Sequence, residues 1–155
     1  QTALFPYRDG GPRVQRVILV TRDVTEQERR HLELELSEQA LRSTLNATGD
    51  AIFASDAADP EQPVRFANDP LIALFGLMRS GLERPTPRQI LEAALPMFAD
   101  PALEQRRIQQ MIRHNEPGLH RVRLRDGRVL LRRCEPVWVA GRWLRVWSFR
   151  DVTPE

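Results

Sequence analysis

The sequence predicts a mixed α/β domain of the α+β kind, an antiparallel sheet with helices, preceded by a long helix and a β-hairpin. Three observations predict it. The tetrapeptide Arg22-Asp23-Val24-Thr25 recurs as Arg150-Asp151-Val152-Thr153, and each copy closes an apolar, strand-like run and opens a helix. Between the copies, short apolar runs are separated by helix starts written in capping residues and prolines. The last third alternates apolar and polar residues around turn dipeptides, the pattern of half-buried antiparallel strands. The spacing of the two copies is far too long for a solenoid repeat. They are a strand-to-helix connector that the chain uses twice.

Residues 1–25 read as two strands around a turn. Arg8-Asp9-Gly10-Gly11-Pro12 supplies the turn chemistry and Val14 to Thr21 the second strand. A lone hairpin has little stability of its own, so it leans on a preceding domain, on the helix that follows, or on a second chain. Thr25 with Glu28 reads as a capping box opening that helix. From Glu26 to Thr48 the residues are helix formers without Gly or Pro. Leu34, Leu41 and Thr48 fall seven apart, with Glu38 and Leu45 at the alternate positions, which makes a broken heptad seam. The expected use is parallel pairing into a homodimer, which would bring two copies of the following domain into register; the alternative is an amphipathic helix covering its own domain.

Gly49 ends the helix. Ala51-Ile52-Phe53-Ala54-Ser55 is a short strand, residues 56–63 a loop, and Val64-Arg65-Phe66-Ala67 a second strand. Asn68-Asp69-Pro70 starts a helix, with Asp69 as N-cap and Leu71, Leu74 and Phe75 buried, until Gly76 stops it. Thr86-Pro87-Arg88-Gln89 is a capping box opening a helix through about Leu95, with Ile90, Leu91 and Ala94 inward. Asp100-Pro101 opens the longest helix of this part, running to about Asn115 with Leu103, Ile108, Met111 and Ile112 on its apolar side, and Pro117-Gly118 ends it.

Three antiparallel strands follow. In residues 119–125, His120, Val122 and Leu124 share one face and Arg121, Arg123 and Arg125 the other. Asp126-Gly127 turns into residues 128–138, and Ala140-Gly141 turns into the last strand. Parity sets Leu130, Arg132, Cys134 and Pro136 inward on the second of these strands, and Trp147 and Phe149 inward on the third, with Val146 and Ser148 opposite. Thr153, Pro154 and Glu155 read as N-cap, first helical position and favourable charge for an outgoing helix.

A last strand ending in Asp-x-Thr before a helix, and a strand, loop, strand and Asn68-bearing turn into a short helix, resemble bacterial PAS domains, sensory modules strung in series upstream of signalling enzymes. The resemblance covers nearly the whole chain. Residues 1–25 look like the C-terminal hairpin of a preceding PAS domain, 26–48 like a linker or signalling helix, 49–153 like a PAS domain, and 154–155 like the start of an outgoing helix. It implies a five-stranded antiparallel sheet with helices on one face. It also implies that the helix at 101–115 walls a ligand cavity, and that Asp23, Thr25, Asp151 and Thr153 couple strands to flanking helices. Asn68 stands where such domains commonly carry asparagine, and its own chemistry suits fixing the turn better than touching a ligand.

Composition sets the bounds. The 155 residues suit one domain with extensions. No stretch has the apolar length of a membrane span and no signal-peptide pattern appears at the start, so the chain is expected to be cytoplasmic, with membrane anchoring possible only elsewhere in the protein that carries it. One cysteine, Cys134, excludes an internal disulfide and fits a reducing compartment. Three scattered histidines and that cysteine give no metal-ligand spacing. All 23 basic residues are arginine, yet the net charge is only +2, which argues against nucleic acid as the partner; Arg121, Arg123, Arg125, Arg128, Arg132 and Arg133 form the one local cluster that would support it.

The expected cavity residues are Phe53, Asn68, Phe75, Met111, Ile112, His120, Val122, Arg132, Cys134, Trp147 and Phe149. Haem is disfavoured, because the helix that carries its ligand in haem-binding relatives has only His114, in its last turn. A photochemical flavin is disfavoured because Cys134 sits on a strand, outside the helical Asn-Cys-Arg-like context. An inward Arg132 would favour a carboxylate- or phosphate-bearing small molecule; alternatively it reaches the rim, or pairs with an acid such as Glu135 of a neighbouring chain. No phosphate-binding loop, nucleophile elbow or triad is present, so the chain is expected to be non-catalytic, with any kinase or cyclase activity outside it. The expected function is a sensory and dimerisation module relaying small-molecule or redox cues to a linked histidine kinase or cyclic-di-GMP enzyme domain. The alternative is a ligand-free interaction domain.

Overall fold

A computed structural model describes residues 2–7, 16–77 and 84–154. The turn expected at Arg8–Pro12 and the helical start at Glu155 lie outside the described residues. The chain divides into two compact units, residues 1–41 and 42–155.

In the first unit β1 (Thr2–Tyr7) pairs antiparallel with β2 (Arg16–Thr21), and α1 (Thr25–Ala47) begins. The start of α1 differs from the expected capping box. Thr25 is already helical, the Val24 carbonyl accepts from the Glu28 amide at 2.9 Å, and it is Asp23 Oδ1 that accepts from Thr25 N, at 2.9 Å. A carboxylate two residues ahead satisfies a free first-turn amide as a hydroxyl would, with charge in addition. Glu26 is left to bind Arg29 and Arg30 along the helix surface. Thr48 falls one residue beyond the helix, so the seam expected there ends at Leu45.

The second unit contains the last turn of α1 and β3 (Ala51–Asp56), β4 (Phe66–Ala67), α2 (Asp69–Leu74), α3 (Pro87–Ala94), a 3-10 turn at Leu95–Met97, α4 (Pro101–His114), β5 (Gly118–Arg123), β6 (Val129–Val139) and β7 (Arg142–Asp151). The five strands form one antiparallel sheet in the order β4-β3-β7-β6-β5. The last strand of the sequence is therefore central, flanked by the first strand of the unit and by its own hairpin partner. Ala140 and Gly141 both have positive φ, 48° and 79°, the two-residue turn that matches the twist of a tight hairpin.

One face of the sheet is buried. It carries Ala51, Phe53 and Ser55 of β3, Val122 of β5, Leu130, Arg132 and Cys134 of β6, and Arg145, Trp147 and Phe149 of β7. Leu71, Phe75, Ile90, Ala94, Phe98, Ile108 and Met111, from the helices and their connections, complete the core with them. Phe53 and Trp147, cross-strand neighbours, stack with ring centroids 6.0 Å apart, and Phe149 meets Phe75 edge-on at 5.3 Å. Gly118 sits where the chain leaves α4 for the sheet; a Cβ there would meet Met111 Sδ, so a larger residue requires the methionine to shift.

Three local readings are corrected. β4 is two residues long and not four, because Val64 turns into the core and bonds through its amide to Pro85 O. The N-cap of α2 is Asn68, whose Oδ1 accepts from Leu71 N at 3.1 Å, and Asp69 is its first helical residue. The inward stripe of α4 is Glu104, Ile108 and Met111, while Ile112 is 43% exposed. The capping box Thr86/Gln89 and the N-cap Asp100 stand where the sequence places them.

Candidate ligand cavity and signal junction

A cavity of about 440 Å³ lies between the buried face of the sheet and helices α3 and α4. Phe53, Ser55, Arg145, Trp147 and Phe149 form its sheet wall, and Ile90, Leu91, Ala94, Ile108 and Ile112 its helical wall. The volume falls within the ~300–1,000 Å³ of small-molecule sites, and the lining is mostly apolar, as such sites are.

Of the residues expected to line a cavity, Phe53, Ile112, Trp147 and Phe149 border this one. Phe75, Met111, Val122 and Cys134 are buried in the packed core and do not border it. His120 is half-buried on β5 opposite Arg132, its Nδ1 without a hydrogen-bond partner among the described residues. Burial, then the Arg132 and Arg107 cations, hold its pKa below the ordinary histidine value. Burial pushes the Cys134 thiol up to about 12, which keeps it protonated and unreactive.

Arg132 is inward, as parity requires, but it does not border the cavity. Its side chain is wholly buried and its Nη1 lies 2.8 Å from Glu104 Oε2 of α4. That carboxylate also accepts from Arg107 Nη1 at 2.9 Å through Oε1. The sequence reading sought the acid on another chain, at Glu135; Glu135 instead binds Arg133, its neighbour two residues back along β6. Two other arginines do border the cavity, Arg145 of β7 and Arg88 of α3, and only Arg145 is buried. Arg145 was not among the expected cavity residues, although it shares parity with Trp147 and Phe149. The basic cluster is likewise not a bare cationic patch: Arg132 is inside, Arg128 binds Asp126, and Arg125 Nε donates to Phe98 O.

Asn68 is fully buried and acts as a junction. Its Oδ1 accepts from Ile52 N and Leu71 N, at 2.8 and 3.1 Å, and its Nδ2 donates to Asp50 O and Leu45 O, at 2.8 and 3.2 Å. One amide side chain thus binds the end of α1, the start of β3 and the first turn of α2. Aspartate could not, because the two donor bonds need an NH2 group. Asn46 adds a reciprocal pair with Asp69, 2.9 and 3.0 Å.

The incoming and outgoing ends of the second unit meet at the same end of the sheet, on the neighbouring strands β3 and β7. Ala51 pairs with Phe149, and Arg150 grips Asp50 in a bidentate pair, Nε to Oδ1 at 3.0 Å and Nη2 to Oδ2 at 2.7 Å. Beyond it, Asp151 Oδ1 accepts from Thr153 N at 2.9 Å and from the Thr153 hydroxyl, while that hydroxyl accepts from Val129 N at 2.9 Å. The Thr153 side chain thus reaches strand β6, and the amides that it would cap as an N-cap lie outside the described residues. Asp23 and Asp151 bind the amide two residues on at the same 2.9 Å, so the repeated tetrapeptide repeats a structure. Those bonds hold both carboxyls below the usual aspartate range.

No family profile matches the sequence. No curated protein matches it either. Solved structures do match its fold. The chain is similar to the PAS domain of the fruit-fly ELK potassium channel, with TM-score 0.54 and 15% identity over 75% of this chain and 97% of that one. It is similar to the PAS domain of an HTR-like protein from Haloarcula marismortui, with TM-score 0.55 and 19% identity over 81% and 99% of the two chains. A domain of a putative light and redox sensing histidine kinase from the same organism matches with TM-score 0.50 and 20% identity over 74% and 99%. The chain has the PAS fold.

Proposed function

We propose that this PAS-fold chain is a non-catalytic sensory module, which converts occupancy of its cavity into a bias on its flanking helices and so on a linked effector of the histidine kinase or cyclic-di-GMP class. One observation carries the reading. The central strand β7 walls the cavity with Arg145, Trp147 and Phe149, and the same strand then makes the Arg150–Asp50 and Asp151–Thr153 contacts where the domain begins and ends. A ligand that binds two settings of β7 unequally shifts both ends of the domain at once. The kinase among the similar structures supports that effector class. A small molecule suits the site better than thiol oxidation, because Cys134 is buried with its pKa at about 12.

The signal leaves through paired helices in this reading. Leu32, Leu34, Leu36 and Leu41 of α1 are 56–60% exposed, and a parallel partner helix would cover Leu34 and Leu41 at heptad spacing. Native mass spectrometry of the chain tests both parts. A dimer carrying extra mass is expected; a bare monomer would count against the paired helix, and a bare dimer would favour the ligand-free interaction domain. In the intact protein, Asp151→Ala with Thr153→Ala should uncouple the cue from the effector's activity, and unchanged signalling would remove the relay role.

A further inference from the structure

We infer that the cavity takes an apolar small molecule bearing one carboxylate, and that Arg145 holds the acid end. The inference rests on the cavity being the sensing site and adds the chemical class of its ligand.

Arg145 is 3% exposed, yet it borders the cavity from the central strand, directly across from Ser55. Its Nη2 donates to Ile112 O at 3.3 Å and Asn115 Oδ1 at 3.0 Å, and its Nε has no hydrogen-bond partner among the described residues. Neutral oxygens orient a guanidinium without cancelling its charge. Among the described residues no carboxylate lies within ion-pair distance of it. Asp56, which also borders the cavity, faces other cations: it lies 3.6 Å from Arg65 and 3.7 Å from Arg142. Arg132 shows what a compensated buried arginine looks like in this same domain, with Glu104 at 2.8 Å. Burial draws the Arg145 pKa down, but a guanidinium does not give up its proton in a protein. The chain therefore keeps an uncompensated cation beside a hollow lined by Phe53, Ile90, Phe98, Ile108 and Trp147.

A carboxylate fits this better than a phosphate. One arginine matches one negative charge, and the second arginine at the cavity, Arg88, is bound to Glu61. Beside Arg145 the lining is mostly apolar, with Ser55 in the sheet wall and the exposed Gln105 and Gln109 as further polar groups, so the body of the ligand is mainly hydrocarbon or aromatic.

The test uses the full 155-residue chain, refolded from denaturant to strip any bound molecule, titrated calorimetrically with straight-chain carboxylates from butanoate to decanoate and with the matching primary amides. At least one acid should bind about tenfold or more tighter than its amide, since a charge-assisted bond replaces a neutral one. Arg145→Gln should bring the acid down to the affinity of the amide and leave the amide unchanged. Ile90→Trp, which fills the cavity, should abolish both. If acid and amide bind the wild type equally, Arg145 does not select the ligand and the inference fails while the sensing reading stands. If neither class binds at any length, both fail. Should Arg145→Gln not fold, judged by near-ultraviolet circular dichroism, the wild-type comparison of acid with amide decides alone.

Discussion

Arg132 Nη1 and Glu104 Oε2 lie 2.8 Å apart with their side chains 0% and 6% exposed, so an ion pair shut off from water ties α4 to β6. The contact pairs charge at a poor angle for a hydrogen bond, and Nε and Nη2 of Arg132 have no partner among the described residues. Such a pair adds little net stability while both members are present and a large penalty when one is removed. Glu104→Gln should therefore cost about 3–5 kcal/mol. The double change Glu104→Leu with Arg132→Met should recover most of it, because no buried charge is left behind. Urea unfolding of the three proteins decides. A Glu104→Gln protein as stable as wild type would show that the charge is compensated elsewhere.

Asn68 makes four hydrogen bonds to three segments, all through one buried side chain. Asn68→Ala should destabilise the second unit by about 2–4 kcal/mol, the sum of several modest bonds and the penalty for stranding their backbone partners. Asn68→Asp is more informative. It keeps both acceptor bonds and loses the donors to Leu45 O and Asp50 O, so α2 should stay capped while the end of α1 loosens. Amide exchange would read this as faster exchange over the last turn of α1 with little change at Leu71; uniform acceleration would mean that the junction does not separate the two.

The elements were legible in the sequence wherever one local signal decided them. Thr86 and Gln89 cap α3 as their spacing predicts, and the alternation of His120, Val122 and Leu124 sets the buried face of β5. What was not legible needed a partner distant in sequence. Glu104 reads as a solvated helix residue until Arg132, on the second strand of the hairpin that follows α4, makes its burial tolerable. Asn68 outcompetes Asp69 as N-cap only because Leu45, Asp50 and Ile52 offer groups that an amide can satisfy together. Arg145 could have been found by parity from Trp147 and Phe149. Residue type points the other way, since an arginine between apolar residues ordinarily faces water.

Cys134 should be chemically silent in the folded protein. Burial against the sheet raises its thiol to about 12, with the Arg145 and Arg132 cations opposing that rise only in part. A disulfide reagent at neutral pH is expected to label the chain at the rate of unfolding, and to label it at once in denaturant. Fast labelling of the native protein would expose the thiol and reopen a redox cue.

His120 predicts an acid-side loss of stability that can be told apart from that of the carboxylates. Burial first, and then the Arg132 and Arg107 cations, lower its folded pKa below 6.5, with Glu104 opposing. In the unfolded chain it takes a proton at 6.5, so below that pH the unfolded state binds more protons than the folded one. Stability is then fully present above 6.5, falls as pH drops through that value, and levels off once the folded-state pKa is passed. Asp56, Asp126 and Asp151, all held below 3.8, contribute stability that is lost only at more acid pH. Thermal unfolding between about pH 7.5 and pH 5 should show wild type losing stability and His120→Gln staying flatter. Parallel curves would mean that His120 is solvated well enough to titrate normally beside its two arginines.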